Sequence, residues 1–394
     1  MIKKSRACAV GFSLLWSTFS CADESNAVIA TIGVGDTPAG IAVTPNNLFA
    51  YVANNNNDSI PNGDSVSVLN LTYNTLQQTI HDSSFNQPYT VTISADGTKA
   101  YVTNSNSTTA TIIDLTTNAV TGTIGGFDGP SGFVITPDGT HAYVNNYGGP
   151  GVGSGNGTTV RVVDLHTNTV VGSAITVGRA PAAMAITPDG AYVYVVSYVD
   201  GNLGTGTISI IKTSDNSVRL NAITGFSGPF AIAITPNGEY AYVTNFGSNN
   251  FSPVGTTVSV VSINSNIIVD TITLGIQPSG IAITPDGSFA YVSNYSTVYN
   301  GGGFTDLTSS QGTIDVINTQ NNTLSSSIIG GLGFSPDAIA ISPNGQFAYV
   351  TNYSSNTVSV IALPSPLYNI NRLTPHYTLQ QNETVTKLNQ AGLL

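Results

Sequence analysis

Charged residues are scarce in this chain of 394 residues, and basic ones most of all. Only 8% of the residues are charged, and 10 lysines and arginines stand against 21 acidic residues, giving a net charge of −11 at pH 7. Nucleic-acid affinity comes largely from lysine and arginine on phosphates, so we predict no nucleic-acid partner. The chain also has 18 tyrosines and 14 phenylalanines. Disordered chains are charge-rich and poor in aromatics, so this composition disfavours disorder.

The first 22 residues have the pattern of a secretory signal peptide. A basic start over residues 1–6 precedes an apolar run over residues 7–19, and small residues at 20–22 suit cleavage after Ala22. We predict an exported protein, periplasmic or extracellular and at the cell surface; a lipoprotein acylated at Cys21 is the alternative. Removing the three basic residues of this segment would take the net charge from −11 to −14, and both cysteines would leave with it. The mature chain then has no disulfide, and no later apolar run is long enough to span a membrane.

A thirteen-residue frame occurs seven times along the rest of the chain. Each copy has a proline, a second proline seven residues later (alanine in one copy), and a Tyr-Val pair six residues after that. The first residues of the frame are Pro38, Pro88, Pro130, Pro181, Pro229, Pro278 and Pro336. The tyrosines are Tyr51, Tyr101, Tyr143, Tyr194, Tyr242, Tyr291 and Tyr349. Such self-similarity is typical of repeat architectures.

Each copy predicts four strands, which we call A, B, C and D. Strand A ends in a turn such as Thr136-Pro137-Asp138-Gly139, where proline presets φ and glycine supplies a positive φ. Strand B carries the Tyr-Val pair, strand C is β-branched, and a turn ending in asparagine leads to strand D. Strands A and B are apolar without alternation, which predicts burial on both faces. Four-stranded units repeated every ~40–50 residues form a β-propeller, so we predict an all-β, seven-bladed propeller over residues 23–363.

The sequence also predicts how the ring closes. The seventh copy has no strand D of its own, and residues 364–394 form a tail outside the repeat. The segment Asn26–Gly33 (NAVIATIG) matches the strand D segment Asn118–Gly125 (NAVTGTIG) almost residue for residue. We therefore predict that the N-terminal strand completes the last blade, which covers a sheet edge that would otherwise invite aggregation.

The run Ile-Thr-Pro-Asp-Gly, followed by Ala-Tyr-Val-Thr-Asn and Thr-Val-Ser-Val-Ile, resembles the repeat of the YVTN-family β-propellers. The fourth copy departs from it with Tyr194-Val195-Val196-Ser197, and the second has Ser94-Ala95-Asp96-Gly97 at its turn. The resemblance implies a propeller, a WD40-like repeat architecture, and an exported or surface location. It implies no single shared activity.

The spacing of the motifs predicts one variable face. The A–B turns and the C–D spacing hardly vary, whereas the B–C interval varies widely. B–C and D–A connections emerge at the same edge of an up-and-down blade, so the variation falls on one side of the disc. Function concentrates in loops on a rigid scaffold, and we predict a binding face there. Neutral drift of exposed loops is the alternative.

Aromatic and acidic residues mark that face. An aromatic residue directly follows strand B in five copies: Tyr147, Tyr198, Phe246, Tyr295 and Tyr353. Rigid rings suit sugars or protein hot spots, although they could instead staple the loop bases to neighbouring blades. We also select four acidic loop residues as binding candidates: Asp58, Asp64, Asp200 and Asp306. Such a rim attracts cations, or it serves solubility alone. The oxygens of residues 54–64 give a weak Ca²⁺ signal without an ordered acidic loop motif.

Catalytic residues are few and scattered. The four histidines are His81, His141, His166 and His376, and the three glutamates are Glu24, Glu239 and Glu383. Acid–base work needs titratable groups within hydrogen-bond reach of one substrate, and these positions do not indicate one centre. We predict no catalytic residue and no protein-held metal: a monomeric, non-catalytic binding or surface-interaction protein for a protein or glycan at the envelope or outside the cell. The alternative is a propeller hydrolase or lyase with a divalent metal in the central channel.

Overall fold

The computed structural model describes residues 26–56, 63–149, 155–198, 205–247, 254–295, 298–299, 304–305, 312–329 and 331–364. The predicted signal peptide with Cys21, and the tail beyond Pro364, lie outside these residues. Seven four-stranded antiparallel sheets form seven blades, and the described helical structure is one 3₁₀ turn at Tyr353–Ser355. The all-β, seven-bladed prediction is confirmed.

The strands follow the predicted repeat, and they are numbered in chain order. The chain begins with β1 (Ala27–Gly33). Blade 1 has β2 (Pro38–Val43), β3 (Phe49–Asn54), β4 (Ser65–Asn70) and β5 (Thr75–Ile80). Blade 2 has β6 (Pro88–Ile93), β7 (Lys99–Asn104), β8 (Thr109–Asp114) and β9 (Ala119–Gly125). Blade 3 has β10 (Pro130–Ile135), β11 (His141–Asn146), β12 (Thr159–Asp164) and β13 (Thr169–Thr176).

The second half of the ring continues in the same order. Blade 4 has β14 (Pro181–Ile186), β15 (Tyr192–Ser197), β16 (Thr205–Lys212) and β17 (Val218–Ser227). Blade 5 has β18 (Pro229–Ile234), β19 (Tyr240–Gly247), β20 (Val254–Ser262) and β21 (Ile267–Thr273). Blade 6 has β22 (Pro278–Ile283), β23 (Phe289–Asn294), a short hairpin of β24 (Val298–Tyr299) and β25 (Phe304–Thr305), β26 (Thr313–Asn318) and β27 (Thr323–Ile329). Blade 7 has β28 (Pro336–Ile341), β29 (Phe347–Asn352) and β30 (Thr357–Ala362), with β1 as its outer strand.

The strands A form the inner wall of a closed ring. Each of β2, β6, β10, β14, β18, β22 and β28 contacts the strands A of both neighbouring blades. Apolar clusters fill the space between successive blades; one joins Tyr143 and Val160 of blade 3 to Val193 and Ile211 of blade 4. Strand B is buried on both faces, as predicted. Strand A is not, because part of it faces the central channel and stays partly accessible.

The predicted closure by the N-terminal strand is confirmed. Strand β1 pairs antiparallel with β30, from Ala27 opposite Ala362 to Gly33 opposite Thr357. Asn26 has a positive φ of 59° and accepts a hydrogen bond from the Tyr291 hydroxyl at 2.7 Å. It thereby repeats the role of the asparagines before the other strands D.

That tyrosine–asparagine bond is the repeated link between blades. The tyrosine of strand B reaches the next blade's C–D turn, where asparagine tolerates a left-handed backbone and offers an acceptor. The remaining pairs are Tyr51–Asn118 at 2.5 Å, Tyr143–Asn216 at 2.7 Å, Tyr194–Asn266 at 2.6 Å and Tyr242–Asn322 at 2.6 Å. At five of the seven junctions the motif therefore specifies both the blade and a bond to the next blade, whereas the Asn168 side-chain oxygen is buried without a partner among the described residues.

We expect Tyr51→Phe and Tyr291→Phe each to lower the free energy of unfolding by about 1–2 kcal/mol, because each leaves an asparagine oxygen without its donor. The matched control is Tyr73→Phe, whose side chain is 75% exposed on a C–D turn and should change little. Urea unfolding of the three variants measures this. Loss at Tyr51 but not at Tyr291 would mean that Asn26 does not work as the other turn asparagines do.

The connections differ between the two faces of the disc, as predicted. Every A–B connection has five residues, and the C–D turns have four, or five in blade 4. The B–C connections range from four residues in blade 2 to 18 in blade 6. We call the face that carries the B–C and D–A connections the loop face.

Candidate functional site

The loop-face end of the central channel is lined by two sets of residues from all seven blades. One set directly follows the proline that opens each strand A: Ala39, Tyr89, Ser131, Ala182, Phe230, Ser279 and Asp337. The other lies four residues after the strand B tyrosine, directly after strand B except in blade 5, where the strand runs on to Gly247: Asn55, Ser105, Tyr147, Tyr198, Phe246, Tyr295 and Tyr353. We call this region the channel mouth. The frame is the same in every blade, whereas these two positions differ between blades.

In four blades a hydroxyl on strand B holds the inner strand beside its neighbour. Thr351 Oγ1 accepts the Ala338 N–H at 2.9 Å and donates to the Ala39 carbonyl of the next blade at 2.9 Å. The sheet register shifts at this point of strand A, so the hydroxyl substitutes for a missing backbone partner. Thr103, Thr244 and Ser293 make the same pair of bonds. The residue after the proline is therefore held in place from two blades.

We expect Thr351→Val to cost about 2 kcal/mol of stability, because it leaves a buried N–H and a buried carbonyl without partners. Thr271→Val is the matched control; Thr271 is exposed in the middle of outer strand β21, where valine should be neutral or slightly favourable. Thermal unfolding of both variants measures the difference. Equal midpoints would contradict the bridging role of the hydroxyl.

The aromatic residues after strand B are held by the backbone of the D–A connection. The residue before each strand A proline has a positive φ, including non-glycine residues such as Gln277 at 55° and Ser335 at 54°. Its carbonyl accepts the N–H of the residue after strand B, at 2.9 Å for Tyr295 and 3.0 Å for Tyr353. Left-handed non-glycine residues cost free energy and cluster at functional sites. The rings thus start from fixed backbone positions.

Five rings from blades 4 to 7 form a continuous arc at the channel mouth. The ring centroids of Phe230 and Phe246 are 5.3 Å apart, and those of Tyr198 and Phe230 are 6.5 Å apart. Tyr295 is 6.1 Å from Phe246 and 6.3 Å from Tyr353. The interplanar angles run from 36° to 85°, so none of these pairs is stacked face to face. We call Tyr198, Phe230, Phe246, Tyr295 and Tyr353 the aromatic arc.

The members of the arc differ in exposure. Tyr198 is buried and donates its hydroxyl to the Gly247 carbonyl of the next blade at 2.6 Å, which is the stapling role. Phe230, Phe246, Tyr295 and Tyr353 are partly exposed. These four residues therefore keep some accessible surface at the channel mouth.

Tyr89 follows the strand A proline of blade 2, across the ring from the arc. Burial raises the pKa of its hydroxyl well above the ordinary value, and Asp337, Tyr147, Tyr353 and Tyr295 add to the rise. These groups belong to blades 7, 3, 7 and 6, whereas Tyr89 belongs to blade 2. In a ring of seven, blades 2 and 6 are as far apart as two blades can be, so their side chains can interact only across the mouth.

Asp337 places one carboxyl group in this mouth. Burial raises its pKa to about 6, and a hydrogen bond from Ser279 Oγ partly offsets the rise. Its side chain is partly accessible although protein surrounds it, as expected for a group facing a narrow channel. Among the described residues no lysine or arginine forms an ion pair with Asp337. The ion pair found among those residues, Lys212–Asp215 at 3.8 Å, lies on the surface away from the mouth.

The structure brings together part of the predicted binding set. Tyr198, Phe246, Tyr295 and Tyr353 join the arc, and Tyr147 lies close enough to act on the pKa of Tyr89. Asp64 lies, half-buried, just before strand β4, outside the mouth as defined here. Asp58, Asp200 and Asp306 fall outside the described residues. Their part in binding, like that of the aromatic set, stays a prediction.

The weak Ca²⁺ signal of residues 54–64 has a structural reading where the chain is described. Asn54 is fully buried, and its amide donates to Ser65 Oγ at 3.0 Å and Ser67 Oγ at 2.9 Å. The Asn55 amide donates to the Pro88 carbonyl of the next blade at 3.3 Å. Both side chains serve the frame.

Sequence reasoning did not select Tyr89, Phe230, Ser279 or Asp337 as binding candidates. A signal was present: these residues occupy the position after the strand A proline, which varies in an otherwise regular frame. The apolar pattern of strand A predicts core packing, and it gives no sign that the position after the proline faces the channel.

The three described histidines do not converge on this mouth, and His376 lies outside the described residues. His81 follows strand D of blade 1, His141 begins β11 at the opposite face, and His166 lies in a C–D turn; all three are exposed. In the part of the chain that the structure describes, no three His, Cys, Asp or Glu residues come together as a metal-binding group.

Clefts on the opposite face repeat with the blades. Cavities of about 630 and 560 Å³ lie beside the A–B turns at Pro188 and Pro137, and one of about 190 Å³ lies beside Pro285. Since the same repeat position lines all three, they follow from the spacing of the blades.

Comparisons with known proteins agree on the fold. The sequence model of a family described as "Lactonase, 7-bladed beta-propeller" matches residues 199–365, which span the end of blade 4 to the end of blade 7. Among solved structures, the chain is similar to one of hydrazine synthase from Kuenenia stuttgartiensis, with a TM-score of 0.66 and 19% identity over 89% of this chain and 99% of that one. At that identity the likeness concerns the fold alone. No curated protein matches. Among the described residues, no helix is long and apolar enough to cross a membrane.

Proposed function

We propose that this chain is an exported binding protein that recognises a protein or glycan partner at the loop face, with the channel mouth as the centre of contact. The aromatic arc is the observation that carries this proposal. Four partly exposed rings meet at one end of the central channel, and the backbone N–H groups of three of them are bonded to the D–A connections. Binding sites are typically concave and apolar with a few polar groups, and aromatic rings supply large contact area at low entropic cost.

The repeated frame holds the channel mouth in a fixed geometry, which suits a binding role. The inner ring is held by bonds between neighbouring blades, so the mouth is preorganised and little ordering is needed on association. The B–C connections differ in length around the same face and can contribute further contacts.

A paired substitution tests the proposal. Phe246→Ser with Tyr295→Ser removes the centre of the arc, and Tyr73→Ser on the opposite face is the matched control. Wild type and both variants are probed against a glycan array and against purified envelope proteins. We expect the control to keep every interaction of the wild type and the arc variant to weaken them at least tenfold. Unchanged binding by a folded arc variant would overturn the proposal.

The family match over residues 199–365 favours one second candidate, a lactone hydrolase acting at the same mouth. The described residues do not fit a divalent metal there, because Asp337 is the one carboxylate among the two sets lining the mouth and is bonded to Ser279. A panel of simple lactones followed by base titration tests it. Ring opening above the buffer rate that disappears in Asp337→Asn would favour the hydrolase.

A further inference from the structure

We propose that the channel mouth binds an alkylated ammonium ion, with the cation against the rings of the aromatic arc and beside the Asp337 carboxylate. This inference rests on the proposed binding function and names the ligand chemistry of the same site. The shared chemistry is a quaternary or methylated ammonium group, either of a free solute such as choline or of a trimethyl-lysine side chain on a partner.

The rings of the aromatic arc provide the first group that can attract a cation. Aromatic faces attract cations through their negative electrostatic potential, and desolvated sites strengthen this attraction. Successive rings of the arc are inclined by 36–85° and no pair is stacked face to face, so the rings present surfaces of different orientation. Phe230 and Phe246 carry no hydrogen-bonding group, so their rings can attract a cation only through their π-faces.

The Asp337 carboxylate provides the second group, a negative charge. Asp337 carries the negative charge of the mouth, and no basic side chain in the described residues pairs with it. Ser279 donates one hydrogen bond to it, which leaves the charge without a counterion. The isolation of a carboxylate in a low-dielectric site is unfavourable unless a cation compensates it. The net charge of −11 adds long-range attraction for cations.

The Asp337 charge also has a defined position relative to the rings. Phe230, Ser279 and Asp337 hold the same repeat position in successive blades 5, 6 and 7, and Ser279 Oγ donates to the Asp337 carboxylate. Asp337 and Tyr353 share blade 7, and both add to the raised pKa of Tyr89 in blade 2. Rings, carboxylate and phenol therefore surround one space. A bulky, weakly hydrated ammonium ion matches it better than a small metal ion, which needs several oxygen ligands.

Choline and its neutral carbon isostere, 3,3-dimethylbutan-1-ol, test the charge requirement directly. Isothermal titration with the full chain is expected to show choline binding at least tenfold tighter than the isostere. A peptide containing trimethyl-lysine, compared with its unmethylated lysine form, shows which source the site prefers. Equal affinity for choline and the isostere, or no binding of any ammonium probe, would overturn the inference.

Two variants and one control locate the site. Asp337→Asn should weaken choline about tenfold and leave the isostere unchanged, whereas Phe246→Leu should weaken choline at least fivefold. Asp270→Asn, on exposed outer strand β21, is the charge-matched control and should bind as the wild type does. If ammonium probes fail while arc-dependent binding of a glycan or protein persists, the inference fails and the proposed function stands. If the arc variant keeps all its partners, the proposed function fails as well.

Discussion

The Ile32→Ala variant is expected to lose about 3 kcal/mol of unfolding free energy, because it removes a buried side chain from a packed core. Ile32 is 4% exposed and packs in a cluster that joins blade 7 to blade 1. Its neighbours include Tyr349 and Val358 of blade 7 and Leu69 of blade 1. The residue therefore tests the closure of the ring and not one blade alone.

Ile29→Ala is the matched control on the same strand. Ile29 is 43% exposed at the point where the pairing of β1 with β30 shifts register. We expect it to change the unfolding free energy by less than about 0.5 kcal/mol. Urea midpoints of the two variants give the comparison. Equal, small losses would show that β1 contributes little to the seventh blade.

A variant that begins at residue 35 should expose the unpaired edge of β30. Such edges pair with other chains, so this variant is expected to form oligomers in size-exclusion chromatography while Ile29→Ala elutes as the wild type does. The closing strand is then required both for stability and for keeping the ring separate from other rings.

The fold could be predicted from the sequence because its information is local and repeated. The tyrosine of strand B and the asparagine before strand D, such as Tyr51 and Asn118, recur at fixed places in the frame, so the seven blades could be predicted from spacing. The closure could be predicted because Asn26–Gly33 matches a strand D segment and the seventh copy lacks one. The hairpin of β24 and β25 could not, because its connection has no equivalent in the other blades.

The candidate site was only partly predictable, because it depends on which residues meet across the ring. Tyr89 and Asp337 are far apart in sequence, and nothing in a repeat period says that two strands A face the same space. Tyr147 and Tyr353 were selected from their position after strand B. Their meeting with Tyr89 follows only once seven inner strands are closed around one channel.

Asp337→Asn is expected to raise the unfolding free energy by about 2 kcal/mol at pH 7.5 and by almost nothing at pH 4. Burial raises the pKa of Asp337 from 3.8 to about 6. This rise in pKa corresponds to at most about 3 kcal/mol of unfolding free energy, and water in the channel reduces the effect to about 2 kcal/mol. The folded protein binds this proton more tightly than the unfolded chain. The stability linked to it is therefore fully present below pH 4 and is lost as the pH rises through 6.

Urea unfolding of both proteins from pH 4 to pH 8 measures the difference curve. Exposed carboxyls such as Asp138, whose pKa a Thr136 hydrogen bond lowers, give the opposite slope and cancel in the difference. Asparagine keeps an acceptor for Ser279, so the change isolates the charge. A difference that does not vary with pH would mean that Asp337 is not enclosed as described. The expected curve would show that the fold carries a destabilising charge at neutral pH, and such a cost is typical of residues kept for binding.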